Sequence, residues 1–298
     1  MRIIILLLLS VHSLFSEKYE LSILAIFKNE APYLKEWIEF HKIQGVEHFY
    51  LYNNNSTDEY LEVLEPYILD AEVTLVDWDV NYQPATKFTE KVEWELVQRN
   101  AYQNGLDLYG EETKWMAVID IDEFLFCPKG IKLCDFLNKY ESYASVAVSQ
   151  LCFGTSHIKK LAKESLTIEN FILCSNLSHE RDFYYKSIIQ PAKIEFAKTA
   201  HYFFPKSGYI SVDSRHRQVN HDYLYREGKI DQIRVNHYWT RDETYLNEKK
   251  IKSRNQRRSY QTARSFESFI LTLNSKKDFA IQQFVPILKQ KMNEKAQK

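Results

Sequence analysis

Apolar residues along the chain fall into short runs of strand length, separated by stretches with helical period, and that alternation points to a fold class before any motif is considered. "LSILAIF" (residues 21–27) is a continuous apolar run, and the "KNEAP" that follows places Pro32 at a helix's first turn. Leu34, Trp37, Ile38 and His41 sit at helical spacing, with Gly45 where such a helix would stop. A second strand is expected at residues 47–53. The turn and N-cap formers of residues 54–58 then open a helix through Leu64. Residues 73–78 form the third expected strand, residues 88–102 a long helix ending at Gly105, and residues 115–119 the fourth strand. The pattern predicts an α/β domain with a mostly parallel central sheet flanked by helices on both faces. Ligands of such sheets bind beyond the carboxyl ends of the strands. Four polar clusters follow strand ends here: Asn29 with Glu30, the 54–58 turn, Asp77 with Asp79, and Asp120 with Asp122.

From about residue 145 the patterning changes. "SVAVSQLCF" is strand-like, His- and aromatic-rich segments follow, and a basic stretch over residues 242–269 is expected to be helical. No repeat, low-complexity tract or Pro/Gly/Ser linker divides the chain. The expected organisation is one domain over residues 17–275 with an elaborated second half, then a helical tail over residues 276–298.

Composition narrows the function classes. The 298 residues are 45% hydrophobic, enough for a sizeable core. A formal net charge of -1 provides no basic field to draw nucleic acid. With 7 Gly and neither G-x-G-x-x-G nor G-x-x-x-x-G-K-[ST], the usual dinucleotide and P-loop cradles are excluded. The first sixteen residues, "MRIIILLLLSVHSLFS", read as a short secretory signal or hydrophobic leader, with an apolar run too short to span a bilayer. Export or membrane association through that leader is the expectation, and a cytoplasmic location the alternative if it is no true signal. Cys127, Cys134, Cys152 and Cys174 lack C-x-x-C spacing, which leaves disulfides and buried free thiols both open.

The chemistry concentrates in "KWMAVIDIDEFLFCPKG", residues 114–130. Asp120, Asp122 and Glu123 crowd the end of a buried strand, where like charges repel and resist desolvation unless cations or hydrogen-bond donors meet them. A D-x-D pair there can offer oxygen ligands to Mg²⁺ or Mn²⁺, with substrate phosphates filling further positions, while Glu123 holds neighbouring groups in place. The same residues admit a haloacid-dehalogenase-type phosphatase with Asp120 as nucleophile, but the residues after Asp122 depart from that pattern. A solvated acidic turn is the plain alternative.

Several segments taken together resemble glycosyltransferase family 92: "LAIFKNEAPYLKEWIEFHKIQGVEHFYLYNNNSTD" (residues 24–58), "KWMAVIDIDEFLF", "CFGTSH", "YKSIIQP", "AHYF" and "RVNHYWTRDETYLNEKK" (residues 234–250). The resemblance implies a GT-A fold and inverting, metal-dependent transfer of a sugar from a nucleotide-sugar donor, a UDP-sugar, to an acceptor hydroxyl on a glycan. It makes Asp122 the direct metal ligand, with Asp120 contacting metal or ribose and His237 a further metal or phosphate contact. Asn29, Glu30 and Asp58 would hold uracil and ribose, and Arg241, Lys249 and Arg254 the diphosphate. A sugar-binding protein of the same fold without turnover is the non-enzymatic alternative.

Plain structural readings stand beside these: His237 as a hydrogen-bonded structural residue, the basic stretch as a solvated face, Trp37 and Trp115 as core. Phe153 and His157 are candidates for an acceptor platform. An inverting reaction needs a base, and the sequence offers Glu180, Asp182, Asp213 and Asp231 without choosing among them. Sequons at Asn54, Asn55 and Asn176 are weak patterns, and a glycan on the first two would obstruct the expected donor site.

Overall fold

The computed structural model describes residues 17–80, 94–178, 183–219, 229–251 and 268–296. The first half alternates as its patterning predicts: β1 (Tyr19–Phe27), α1 (Ala31–Ile43), β2 (His48–Asn53), α2 (Tyr60–Leu69), β3 (Val73–Asp77), α3 (Trp94–Tyr109) and β4 (Thr113–Val118). Then come β5 (Glu123–Phe126), α4 (Leu133–Leu137), β6 (Ser145–Cys152), α5 (Thr167–Asn170), β7 (Leu173–Cys174), β8 (Tyr185–Ile189), β9 (Ile194–Ala197), β10 (Phe203–Pro205) and β11 (Ser211–Asp213). β12 (Arg234–His237), α6 (Glu243–Tyr245), β13 (Lys276–Lys277) and α7 (Val285–Ala296) complete the described elements.

The central sheet runs β3-β2-β1-β4-β8-β6-β12-β5, with β11 beside β6. β3, β2, β1 and β4 are mutually parallel. β8 inserts antiparallel between β4 and β6, β12 is parallel to β6, and β5 is antiparallel to β12. One edge of the sheet therefore collects the carboxyl ends of β1, β2, β3, β4, β6 and β12 and the starts of β5 and β8. The polar clusters that follow the strands meet there. The architecture is α/β with the mostly parallel sheet of a GT-A fold.

Alternation along β1 sends its side chains to two cores. Leu21, Ile23, Ala25 and Phe27 pack with the α1 layer, where Trp37 and Trp115 are both fully buried, and Leu24 and Ile26 pack with α3. Gly105, expected to end α3, lies inside it. A Cβ at that position would stand 2.6 Å from Leu24 Cδ1, so the glycine permits close helix-to-strand approach rather than a stop. Residues 88–93 of the expected helix lie outside the described residues. The basic stretch begins with α6 and a π-helical turn over Leu246–Ile251, and residues 252–267 lie outside the description. Residues 276–296 are no separate tail: β13 pairs with β7, and α7 docks on α1 with Leu288 fully buried. Their lysines mask an apolar face made by Ile281, Val285 and Leu288.

α1 fixes the strand beyond the acidic turn. Trp37 Nε1 donates to the Glu123 carbonyl at 2.8 Å, and the Leu125 N–H donates to His41 Nε2 at 3.1 Å. His41 Nδ1 then carries the proton and donates to the Trp37 carbonyl at 2.8 Å. Burial pushes the pKa of His41 down to about 3. With the folded value below the unfolded one, this stability is fully present above pH 6.5 and is lost as pH falls. Its slope approaches about 1.4 kcal/mol per pH unit for one such group. Urea midpoints taken from pH 6.5 to 4 should therefore fall less steeply in His41→Gln than in wild type; parallel profiles would contradict the assignment.

Candidate active site

Two cations supplied by the protein meet the acidic turn. Lys186, 3% exposed on its side chain, enters at the start of β8 and reaches Asp120 Oδ2 at 2.8 Å and Glu123 Oε2 at 3.1 Å. Burial alone would strip its proton, but Asp120 and Glu123 outweigh burial and hold its pKa above the usual lysine value. Asp120 also accepts from Tyr102 Oη at 3.2 Å and Gln98 Nε2 at 3.3 Å, and Glu123 Oε2 accepts the Asp120 N–H at 2.8 Å. Asp120 is thus held by Lys186, Tyr102 and Gln98, an arrangement unsuited to a free nucleophile.

Asp122 has a different partner. β12 pairs with β5 so that His237 stands opposite Glu123, and His237 Nε2 lies 3.5 Å from Asp122 Oδ1. Its Nδ1 faces Gln150 Oε1 at 3.1 Å. Burial works against charge on the ring, yet Asp122 and then Glu123 outweigh it and raise the histidine well above its ordinary value. Against the same burial penalty, His237 holds Asp122 below the usual carboxylate range.

The residues expected to hold the nucleotide form a second constellation around the start of α1. Arg241, fully within the fold at 2% exposure, pairs with Glu30 and lies 3.5 Å from the Tyr33 ring centroid and 4.7 Å from that of Tyr245. Its Nη1 is buried with no hydrogen-bond partner among the described residues. Asp58 Oδ2 accepts the Ala31 N–H at 2.8 Å and so caps α1 from the next loop, while Asp58 Oδ1 is buried without a partner among the described residues. Asn29 latches the same two loops, donating its N–H to Ser56 Oγ at 2.9 Å and accepting from the Thr57 N–H at 2.7 Å. Asn29 and Arg241 have φ of 56° and 49°. For the arginine this left-handed backbone costs about 1–2 kcal/mol, and both lie at the ligand-facing edge.

Lys186, Gln150, Cys152, His237, Trp239 and Phe269 border a cavity of about 180 Å³, together with Asp120 and Glu123. Several sequence candidates lie elsewhere. Lys249 is exposed, whereas its neighbour Lys250 sits 5.5 Å from the ring centroids of both Trp239 and Tyr245. Phe153 is fully buried against Tyr238, so it offers no acceptor platform, and His157 is exposed. Asp213 is bound by Arg217 and Asp231 by Arg215, and neither borders the cavity. Glu180, Asp182 and Arg254 lie outside the described residues. All four cysteines are free thiols. Asn54 is 2% exposed and donates to the Trp78 and Val80 carbonyls, which withdraws it as a glycan acceptor.

The sequence profile of glycosyltransferase family 92 matches residues 19–265. The chain belongs to glycosyltransferase family 92. A family 92 protein of Ricinus communis is 26% identical over 220 residues, covering 71% of this chain and 36% of its own length. A galactan β-1,4-galactosyltransferase of Arabidopsis thaliana is 27% identical over 142 residues, covering 43% of this chain and 25% of its own. The family 92 chain thus spans about a third of the length of the first of these relatives and a quarter of the second. Among solved structures, S. aureus TarS (residues 1–349) aligns with 58% of this chain and 47% of its own at 14% identity and a TM-score of 0.38.

The family 92 site can be tested for the cation its D-x-D suggests. Asp122 and His237 fit: a carboxylate oxygen and an imidazole nitrogen stand 3.5 Å apart, with His237 bordering the cavity, an oxygen and nitrogen pair that could hold a divalent cation such as Mn²⁺ or Mg²⁺. Asp120 does not join them, because Lys186 engages it, and among the described residues no three His, Cys, Asp or Glu side chains converge as a closed metal cage. Sequence reading missed Lys186 and Lys250. The signal for Lys186 was available as the lone charge in the apolar strand "YKSIIQP".

Proposed function

We propose that this chain is a metal-dependent, inverting glycosyltransferase that moves a hexosyl group from a UDP-sugar to a hydroxyl of a glycan. The observation that carries the reading is the Asp122–His237 pair at the sheet's carboxyl edge beside Arg241, whose buried Nη1 lacks a partner among the described residues. An unsatisfied guanidinium nitrogen in such a place suits a diphosphate oxygen. The orphaned Asp58 oxygen suits a ribose or base donor in the same way. Family membership and the relative named as a galactosyltransferase support sugar transfer to a glycan.

In this reading Asp122 and His237 would hold Mn²⁺ or Mg²⁺, which would supply positive charge to the leaving diphosphate. Arg241 adds a fixed positive charge on the same leaving group, already desolvated and stacked on Tyr33, so little reorganisation is needed as negative charge builds. Lys186 pairs with Asp120 and Glu123 in the cavity wall, where burial raises the Glu123 carboxyl to about 7 and the lysine's charge works against that rise. Residues 1–16 are proposed to direct the protein to the secretory pathway or to a membrane. Among the described residues no helix is long and apolar enough to cross a bilayer.

A thermal-shift panel of UDP, UDP-galactose, UDP-glucose and UDP-N-acetylglucosamine, with Mn²⁺ or with EDTA, tests the proposal. Stabilisation by UDP compounds in Mn²⁺ that EDTA removes is expected, worth about 2.7 kcal/mol at a hundredfold excess over Kd. No stabilisation by any of them in Mn²⁺ would overturn it.

A further inference from the structure

A second cavity, about 310 Å³, opens between the first turn of α3 and the loop after β9, bordered by Glu95, Gln98, Tyr184, Ala200 and His201. Tyr184 and His201 also border the first cavity, so the two spaces share a wall. Its size reaches the lower end of small-ligand pockets. The wall and the floor differ in chemistry. The Tyr184 and His201 rings, both bordering it, lie near-parallel, with centroids 5.8 Å apart and planes 25° apart, a pair of flat rings with polar edges. To the same cavity Glu95 and Gln98 bring a carboxylate and a carboxamide from α3, three residues apart and so on one helical face. Gln98 Nε2 reaches Asp120 Oδ1 at 3.3 Å, which sets this cavity within one side chain of the acidic turn.

Aromatic rings and hydrogen-bonding groups sharing one cavity match the chemistry of a pyranose, whose C–H face is apolar and whose rim carries hydroxyls. We infer that the second cavity is a subsite for a single pyranose ring, with Tyr184 and His201 as its stacking wall and Glu95 and Gln98 as partners for its hydroxyls. The histidine suits this role: burial, and then Lys186, push it down to about 4, so the ring is neutral at pH 7. Its Nδ1–H donates to the Tyr185 carbonyl at 2.8 Å, which makes the other nitrogen an acceptor. The inference rests on the sugar-transfer reading, and the pyranose has two sources, the hexose of the donor or the sugar of the acceptor.

Titration calorimetry of the whole chain in Mn²⁺ with UDP and with UDP-galactose, UDP-glucose and UDP-N-acetylglucosamine forms the donor arm. Saturation-transfer NMR with the methyl glycosides of the same three sugars, in the presence of UDP, forms the acceptor arm. Wild type, Tyr184→Ala, Tyr184→Phe and Glu95→Ala are compared, with circular dichroism to confirm that each is folded. Tyr184→Ala should leave UDP affinity within twofold. It should also cost about tenfold in affinity for at least one UDP-sugar, if the pyranose is the donor's, or for a glycoside, if it is the acceptor's. Tyr184→Phe should restore that affinity, because the ring and not the hydroxyl makes the wall, and Glu95→Ala should weaken the same ligand. Unchanged affinity for every UDP-sugar and glycoside in folded Tyr184→Ala would overturn the subsite. Failure of UDP to bind wild type would instead count against the donor reading, leaving the glycoside arm to decide the subsite.

Discussion

Asp122→Asn is expected to lower sugar transfer by about 10²–10³-fold, the scale seen when one preorganised electrostatic contact to a developing charge is removed. Folding should survive the change. Asn is nearly isosteric, and the Tyr238 N–H donates to the Asp122 carbonyl at 2.8 Å through the backbone, which the substitution leaves in place. Without the Asp122 charge His237 still has the Glu123 carboxyl 3.6 Å from its Nδ1, so its buried ring is not left without a counter-ion. The measurement is transfer rate against Mn²⁺ concentration, with melting temperature as the control. A variant that keeps both its rate and its Mn²⁺ response would remove Asp122 from the mechanism.

Lys186→Met is expected to destabilise the chain itself, by about 3–5 kcal/mol, because removing one partner of a buried pair leaves the other charges uncompensated. Asp120 and Glu123 would be left facing each other, with Glu123 fully buried. Urea denaturation measures the loss directly. Adding Glu123→Gln to Lys186→Met should recover part of it, since a neutral amide no longer needs a counter-ion. A loss below about 1 kcal/mol would show that solvent screens the cluster as it does an exposed pair. The contrast with Asp122 follows from geometry: Lys186 sits between two carboxylates, whereas Asp122 faces one ring that keeps a second carboxyl, Glu123, beside it.

The strand and helix order of the first half was legible because each element is written locally. Continuous apolar runs became β1 and β4, helical spacing became α1, and parallel pairing brought the residues after β1, β2 and β4 to one edge. Gly105 shows where such reading stops. As a residue type it signals a helix end, but its tight approach to Leu24 on another element required it within α3. Phe153, a candidate for the acceptor platform, failed for a similar reason: packing against Tyr238, distant in the chain, buries it.

By itself the sequence determined the fold class, the acidic turn at the end of β4 and the polar ends of its neighbours, since periodicity, turn formers and strand-end charges are properties of adjacent residues. Tertiary structure alone decided the partners of those charges. Glu30 and Arg241 stand 211 positions apart, and Lys186 lies 66 from Asp120. Which carboxylate meets a lysine and which a histidine depends on β8 entering antiparallel beside β4 and on β12 pairing with β5. That is a consequence of sheet order, which no local pattern encodes, because electrostatic energy depends on distance in space and not on separation along the chain.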